Sequence, residues 1–385
     1  MVKKKVAILT QPLGHNYGGL LQAYALQTYL KKLGCEVETL DRRAPEAGRV
    51  SSAKSHALNL ARLMLGRIKS IPTAKKQTRA LEELANFRDR RITISPRITS
   101  EQELREYYRN RKFDAFVVGS DQVWRPRYSP SILNFFLNFL DDLGSKAIRV
   151  AYAASFGVDE WEYPENVKEK CRPLVKKFDA VSVREKSAIE LCKTKFGINP
   201  DWVVDPTLLL APSDYEALVA QDVENEHNSL VLSYILDSSE DKQKISKAVA
   251  EILQIDSLYI MPEKLVSEVR STDIEQCIYP SVEAWLKSFR EAQFVVTDSF
   301  HGTVFAILFN RPFIAVGNSK RGLARFNSLL SMLGLEDRLV SSVADIAPEI
   351  ITDRIDWGKV NELREEYANE GRKFLKNHLL CGKAK

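Results

Sequence analysis

The sequence predicts an α/β protein with two domains, each built on a parallel sheet. Apolar runs of strand length alternate with helix-length segments along most of the chain, which is typical of parallel sheets covered by helices. The alternation starts again in the second half, and 385 residues exceed what one hydrophobic core usually serves. We therefore expect domains at residues 1–205 and 206–350, followed by a charged helix in residues 351–385 that packs back on the first domain.

Five segments of the first half are rich in apolar and β-branched residues, as expected of buried strands. They are Val6–Thr10, Phe113–Val118, Arg149–Ser155, Ala180–Val183 and Trp202–Val204. A loop over residues 11–19 follows the first strand, and a helix is expected over Leu20–Leu33. Because glycine lets a ligand approach the backbone closely, Asn16, Gly18 and Gly19 are candidates for substrate binding. The alternative is a turn that simply requires glycine.

Polar and aromatic residues follow the other strands of this half. Asp121 is placed to act as a base or to orient a hydroxyl, and the alternative is a helix or turn cap. Trp124 is a candidate to stack on a sugar ring, and the alternative is packing in the core. Arg184 ends a strand and is a candidate anion clamp. Its alternative is an ion pair with Glu185 or another nearby acid.

The segment Arg49–Arg79 differs in composition from the rest of the chain. It carries eight Lys or Arg residues and no Asp or Glu, interleaved with leucine, isoleucine and methionine. A basic amphipathic segment of this kind is suited to peripheral contact with an anionic membrane surface or to an acidic partner. The alternative is a solvated helix with one face in the core.

The second half repeats the alternation of strands and helices. Strands are expected at Leu230–Leu236, Leu258–Met261, Phe294–Thr297 and Phe313–Val316, and helices at Glu240–Leu253, Val282–Arg290 and Gly322–Leu333. A final charged helix is expected at about Trp357–Leu380. The strands at 294 and 313 flank a helix-length apolar segment, which makes this stretch a β-α-β unit.

His301 lies at the start of the helix in this β-α-β unit. Asp298 and Ser299 are both suitable N-caps, and Gly302 follows in the first turn. In an open α/β sheet this position faces the crevice at the carboxyl ends of the strands, where ligands bind. Helix N-termini favour anions there. We therefore consider His301 a candidate acid–base residue, although a histidine here can also serve only as a cap or a core hydrogen-bonding residue.

The loop after the next strand carries Lys320, Arg321 and Arg325, and we expect it to open onto the same crevice. An imidazole and three cations around a helix N-terminus indicate a phosphorylated or carboxylated small substrate. The alternative is that these cations only meet solvent.

Composition narrows the class of protein. A net charge of +5 suits anionic ligands and is too weak to indicate nucleic-acid binding. The five scattered cysteines lack metal-ligand spacing and are typical of reduced thiols in a cytoplasmic protein. We expect no signal peptide at the N-terminus and no membrane-spanning segment.

Taken together, several motifs resemble the polysaccharide pyruvyl transferase family. They are Asn16-Tyr17-Gly18-Gly19-Leu20-Leu21-Gln22-Ala23-Tyr24-Ala25-Leu26, Gly119-Ser120-Asp121-Gln122-Val123-Trp124, Ser182-Val183-Arg184-Glu185, Val204-Asp205-Pro206-Thr207-Leu208-Leu209 and Ser299-Phe300-His301-Gly302. The resemblance runs from Val6 to about Arg338 and implies two Rossmann-like domains facing across a cleft, as in GT-B glycosyltransferases. The first domain would then hold the acceptor and the second the donor.

The resemblance also implies an activity, namely transfer of the pyruvyl group of phosphoenolpyruvate to two hydroxyls of a glycan sugar. The product is a cyclic ketal, and phosphate is released. His301 matches the family's histidine, Arg184 its strand-tip arginine, and Lys320 or Arg321 its basic loop residue. The resemblance implies no metal and no cofactor. The expected acceptor is a glycan or a lipid-linked oligosaccharide, handled in the cytoplasm or at the inner face of the membrane during synthesis of cell-surface glycans.

Two alternatives from other classes stay open. A GT-B glycosyltransferase that uses a nucleotide sugar often holds the ribose with a carboxylate on the helix after the phosphate loop, and residues 302–335 contain no Asp or Glu. A non-catalytic binding protein of the same fold is the second alternative, and the presence of His301, Arg184 and the basic loop argues against it.

Overall fold

The computed structural model describes residues 3–14, 16–45, 58–59, 61–65, 68–219, 230–237, 239–317 and 322–380. Within them the chain forms two parallel sheets with covering helices, which confirms the predicted α/β fold of two domains. The first sheet contains β1 (Lys5–Leu9), β2 (Glu36–Thr39), β3 (Ala115–Val118), β4 (Ile148–Ala154), β5 (Ala180–Val183) and β6 (Asp201–Trp202). The second contains β7 (Val231–Tyr234), β8 (Ser257–Tyr259), β9 (Phe294–Thr297), β10 (Phe313–Val316) and β11 (Leu339–Val340).

The helices are distributed along both halves of the chain. In the first half they are α1 (Tyr17–Lys32), α2 (Ala74–Ala80), α3 (Glu82–Arg91), α4 (Glu101–Arg111), α5 (Glu165–Val175) and α6 (Ser187–Leu191). In the second half they are α7 (Pro212–Glu216), α8 (Glu240–Leu253), α9 (Val282–Glu291), α10 (Phe300–Leu308), α11 (Ala324–Leu333), α12 (Pro348–Thr352) and α13 (Trp357–Leu379).

Strand order creates one crevice in each sheet. The first sheet runs β2-β1-β3-β4-β5-β6 and the second β11-β10-β9-β7-β8, with every pairing parallel. From β1 the chain continues to β2 on one side of β1 and then to β3 on the other side. In the second sheet it continues from β7 to β8 on one side of β7 and then to β9 on the other side. Ligands of open α/β sheets bind at such reversals, outside the carboxyl ends of the strands. One crevice lies at the carboxyl ends of β1 and β3, and the other lies at the carboxyl ends of β7 and β9.

Helix α1 begins earlier than the sequence indicated. The side chain of Asn16 caps the helix by accepting a hydrogen bond from the Gly19 N–H at 2.5 Å, so Tyr17, Gly18 and Gly19 form its first turn. The prediction of a loop up to residue 19 is therefore wrong. Two glycines in a row lower helix propensity, but the asparagine cap and buried neighbours outweigh that cost.

The C-terminal helix α13 lies against the first domain and against the segment that follows β6. Phe374 packs on Tyr152 of β4 with ring centroids 6.1 Å apart, and Arg372 Nε donates to the Leu209 carbonyl at 3.0 Å. Lys4 Nζ also donates to the Leu379 carbonyl, so the segment before β1 contacts the end of this helix. No helix among the described residues has both the length and the apolar character to cross a membrane. The four described cysteines are free and buried.

Candidate functional site

The two crevices face each other and form a single cleft with a cavity of about 400 Å³. The first domain contributes the start of α1 and the loop after β3, while the second contributes the loops after β7 and β9. The lining residues are Asn16, Tyr17, Gly18, Asp121, Gln122, Arg125, Tyr128, Tyr234, Leu236, Met261, Tyr279, Asp298, Ser299, Phe300, His301, Arg325 and Phe326. Tyr17 joins the two sides, since its hydroxyl donates to the Pro280 carbonyl at 2.7 Å and its ring stacks on Trp285.

His301 lies in the first turn of α10, as the sequence indicated. Ser299 caps this helix by accepting a hydrogen bond from the Gly302 N–H at 3.3 Å. The imidazole is 7% exposed and lines the cleft. It also lies directly against Gly18 of the other domain, where a Cβ atom would come within 2.1 Å of His301 Nδ1. The N-termini of α1 and α10 thus converge on the imidazole from opposite domains, and both helix dipoles favour negative charge there.

Asp205 supports the other nitrogen of the imidazole. Its Oδ2 lies 3.6 Å from His301 Nε2 and 2.6 Å from Arg184 Nη1, while its Oδ1 accepts hydrogen bonds from Thr207. Burial alone would raise the pKa of Asp205, but the nearby His301 and Arg184 lower it below its ordinary value. The carboxylate is therefore ionised at neutral pH. It stabilises a positive charge on His301 and leaves Nδ1 on the Gly18 side of the ring.

We expect Asp205→Asn to destabilise the protein by about 3–5 kcal/mol, because it leaves the buried Arg184 without its closest counter-charge. The pKa of Asp205 is lower in the folded than in the unfolded state, so ionisation contributes stability above the unfolded pKa of about 3.9. That contribution is lost as the pH falls through this value toward the folded pKa. Urea unfolding of wild type and variant at neutral pH and near pH 2 measures both effects. A difference in unfolding free energy that does not shrink at acid pH would contradict this role.

Arg184 does not face the open cleft. It is 4% exposed, and its guanidinium contacts Asp205, Asp121 at 3.4 Å and Glu185 at 3.7 Å. The guanidinium carbon lies 4.7 Å from the centre of the Phe300 ring, beneath the start of α10. These contacts favour the alternative that Arg184 pairs with neighbouring acids. Arg184 positions Asp205 and Asp121 and adds positive charge beneath the residues that line the cleft.

Asp121 and Arg325 do line the cleft. Asp121 has a positive φ of 66°, which turns its carboxylate toward the cleft and toward Arg184. Arg325 follows the loop after β10, and its guanidinium carbon is 5.9 Å from the Phe300 ring centre. Burial and the nearby Arg184 lower the pKa of Arg325 to about 10, so it stays charged at neutral pH. Lys320 and Arg321 lie outside the described residues.

Trp124 does not reach the cleft, and the expectation that it stacks on a sugar is corrected. The ring is fully buried, stacks on Phe136 at 5.1 Å and donates from Nε1 to the Phe135 carbonyl. The loop after β3 turns this side chain inward into an aromatic cluster of the first domain. The aromatic side chains that do line the cleft are Tyr17, Tyr128, Tyr234, Tyr279, Phe300 and Phe326.

The remaining predicted residues divide into lining and supporting positions. Asn16 and Ser299 line the cleft and cap α1 and α10. Gly19 and Gly302 are buried and do not line the cavity. A Cβ atom at Gly302 would lie 2.3 Å from Thr297 Oγ1, so this glycine lets α10 pack on β9.

A second cavity of about 700 Å³ adjoins the cleft, and Met261 lines both. Its wall combines apolar residues such as Tyr259 and Pro262 with four carboxylates, namely Glu263, Glu275, Glu283 and Glu291. Carboxylates and aromatic rings are the groups that hold sugar hydroxyls and sugar faces. Among the described residues, no three His, Cys, Asp or Glu side chains are grouped as a metal site requires.

Asp205 is a site residue that was not predicted, although it belongs to one of the motifs that carry the resemblance. Ninety-six positions separate it from His301, and only the packing of the two domains brings them together. A local signal does exist, since an acidic residue followed by Pro206 and Thr207 is typical of a capped turn. That signal predicts that the Asp205 carboxylate is held in a fixed position. It does not predict that His301 lies next to it.

Comparisons with known proteins agree with this architecture. The model of a family described as polysaccharide pyruvyl transferase matches residues 16–320. No curated protein matches the chain.

Solved structures of GT-B-type proteins share the fold. UGT89C1 of Arabidopsis thaliana, complexed with UDP-L-rhamnose, is 12% identical with a TM-score of 0.53, over 97% of this chain and 98% of its own. UDP-N-acetylglucosamine 2-epimerase of Rickettsia bellii is 11% identical with a TM-score of 0.52, over 98% and 99%. MnaA of S. aureus with UDP is 13% identical with a TM-score of 0.52, over 98% and 96%. At these identities the likeness concerns the fold alone.

Proposed function

The chain belongs to the polysaccharide pyruvyl transferase family, a family of transferases, and from that membership we propose that it transfers the pyruvyl group of phosphoenolpyruvate to a glycan. The acceptor supplies two hydroxyls of one sugar, the product is a cyclic ketal, and phosphate leaves. One observation carries the proposal: the His301 imidazole, backed by the Asp205 carboxylate, lies where the N-termini of α1 and α10 converge.

The charge of the site suits this donor. Phosphoenolpyruvate carries a phosphate and a carboxylate, which need two regions of positive potential. The two helix N-termini supply unpaired backbone N–H groups and favourable dipoles, and Arg325 supplies a guanidinium on the same side as α10. A cleft of about 400 Å³ accommodates this three-carbon donor together with one sugar ring of the acceptor.

The chemistry requires proton transfer in both directions. His301 in its protonated form donates a proton from Nδ1 to the methylene carbon, which becomes a methyl group and leaves C2 electrophilic. The first sugar hydroxyl bonds to C2 and gives its proton to a base, for which Asp121 is placed in the cleft. Phosphate then leaves from C2, and the second hydroxyl closes the ketal ring. The two sugar hydroxyls release two protons in total. One of them returns His301 to its protonated form, and the other leaves with the phosphate.

The adjoining cavity provides space for the part of the acceptor glycan that extends beyond the reacting sugar. It meets the cleft at Met261, and its wall offers carboxylates and the Lys287 ammonium to the hydroxyls of a glycan that is free or attached to a lipid carrier.

The proposal is tested by phosphate release from phosphoenolpyruvate with free and lipid-linked galactose, mannose and glucose acceptors. We expect release that depends on both substrates and a product that carries the pyruvyl group. Turnover of a nucleotide sugar in place of phosphoenolpyruvate would support the glycosyltransferase alternative. Binding of phosphoenolpyruvate without release on any acceptor would support a binding protein, and either outcome would contradict the proposal.

A further inference from the structure

Two segments of the chain expose apolar side chains to an unusual degree. Among the described residues, the four most exposed large apolar side chains are Met64 at 85%, Leu65 at 68%, Leu265 at 64% and Leu58 at 55%. Three belong to the basic segment of the first domain, and Leu265 belongs to the loop after β8. We call these four residues the apolar tip. The described part of the basic segment thus turns these side chains outward and not into the core.

Hydrogen bonds hold the basic segment and the loop after β8 together. The Lys69 N–H donates to the Ser267 carbonyl at 2.8 Å, and Ser70 Oγ donates to the Val266 carbonyl at 3.0 Å. Ala80 of α2 also packs with Val269 in a small buried cluster. These contacts join residues 69–80, which follow the exposed side chains of the basic segment, to the loop that carries Leu265.

The basic segment is positively charged, whereas the loop of Leu265 carries both acidic and basic residues, among them Glu263, Lys264, Glu268 and Arg270. Residues 58–80 contain six Lys or Arg and no Asp or Glu, and Arg62, Lys69 and Lys75 are exposed. Leucine residues mixed with basic residues are typical of a segment that inserts shallowly into an anionic bilayer. Lysine is depleted in protein interfaces, whereas methionine and arginine are enriched there.

We propose that the apolar tip docks the protein on a membrane containing anionic lipid. The aliphatic side chains enter the boundary between headgroups and acyl chains, and the basic residues meet lipid phosphates. This inference does not depend on which reaction the cleft performs.

Vesicle sedimentation of the full chain tests this docking. We expect wild type to sediment with vesicles of equal parts phosphatidylcholine and phosphatidylglycerol, more weakly at high salt, and not with phosphatidylcholine alone. The double variant Met64→Glu/Leu65→Glu should lose binding by about tenfold or more, because it removes apolar surface and adds negative charge. Both side chains are exposed, so the fold is preserved and circular dichroism should be unchanged. Leu265→Glu should act in the same direction.

Ile252→Glu is the matched control, since Ile252 is a 36% exposed apolar residue on α8, outside the basic segment and the loop after β8. It should leave vesicle binding unchanged. Equal binding by wild type and the double variant, or no binding of wild type to the anionic vesicles, would overturn the proposal. Sedimentation of the protein alone provides a further check. A wild-type dimer that dissociates in the double variant would assign the apolar tip to a second copy of the chain and also overturn it.

Discussion

Replacing His301 with alanine is expected to lower kcat/KM for pyruvyl transfer by roughly 10²–10⁴-fold, the range that a positioned acid–base group supplies. The loss follows because His301 is the only imidazole among the described residues that line the cleft, and the Asp205 carboxylate lies behind it. Folding should be little affected, since α10 keeps its Ser299 cap and its buried face. Phosphate release at saturating phosphoenolpyruvate, with the acceptor concentration varied, measures the effect.

His378→Ala is the matched control for this substitution. His378 lies on α13, where it packs against Phe374, and it does not line the cleft. The control should retain wild-type turnover. If His301→Ala also retained near-normal turnover, the imidazole would have no part in the reaction, and the proposed chemistry would be wrong.

Gly18→Ala is expected to lower kcat by about 10²-fold or more, although Gly18 itself performs no chemistry. A Cβ atom at this position would lie 2.1 Å from His301 Nδ1, so the imidazole or the start of α1 must move. Misplacing a catalytic group by about 1 Å is enough for a loss of this size. The substitution tests the contact between the two domains on which the site depends.

Measuring whether the Gly18→Ala variant is folded distinguishes displacement of His301 from unfolding of the protein. Gly18 is helical, so alanine improves helix propensity and offsets part of the steric cost. We expect a folded protein with a circular dichroism spectrum like that of wild type. Gly358→Ala, at an exposed position of α13, is the control and should leave turnover unchanged. Normal kcat in Gly18→Ala would show that catalysis does not depend on the close packing of His301 against the start of α1.

Local signals in the sequence were enough to place His301. The β-branched run of β9, the Ser299 cap and the strand at Phe313–Val316 each specify their element through nearby residues, and the structure has all three. The edge strand β2 escaped prediction because two of its four residues are glutamates. One of these, Glu38, is buried with Tyr107 donating to it, a contact that no local pattern reveals.

The parts of the site that were missed depend on contacts between distant residues. Trp124 occupies a loop where a sugar-stacking residue would be expected, but the fold turns its ring into the core. Arg184 stands at a strand tip, and its three acidic neighbours come from three different loops or strand ends. Asp205 ends the first predicted domain, and its contact with His301 exists only after both sheets have formed.

Deuterium incorporation during turnover in D₂O tests the central claim most directly. If His301 protonates the methylene carbon of phosphoenolpyruvate in the cleft, each pyruvyl group transferred to the glycan should carry one deuteron in its methyl group, and phosphate should appear in equal amount. Mass spectrometry and NMR of the glycan product measure both. Release of phosphate without a deuterated methyl group on the glycan would contradict the account.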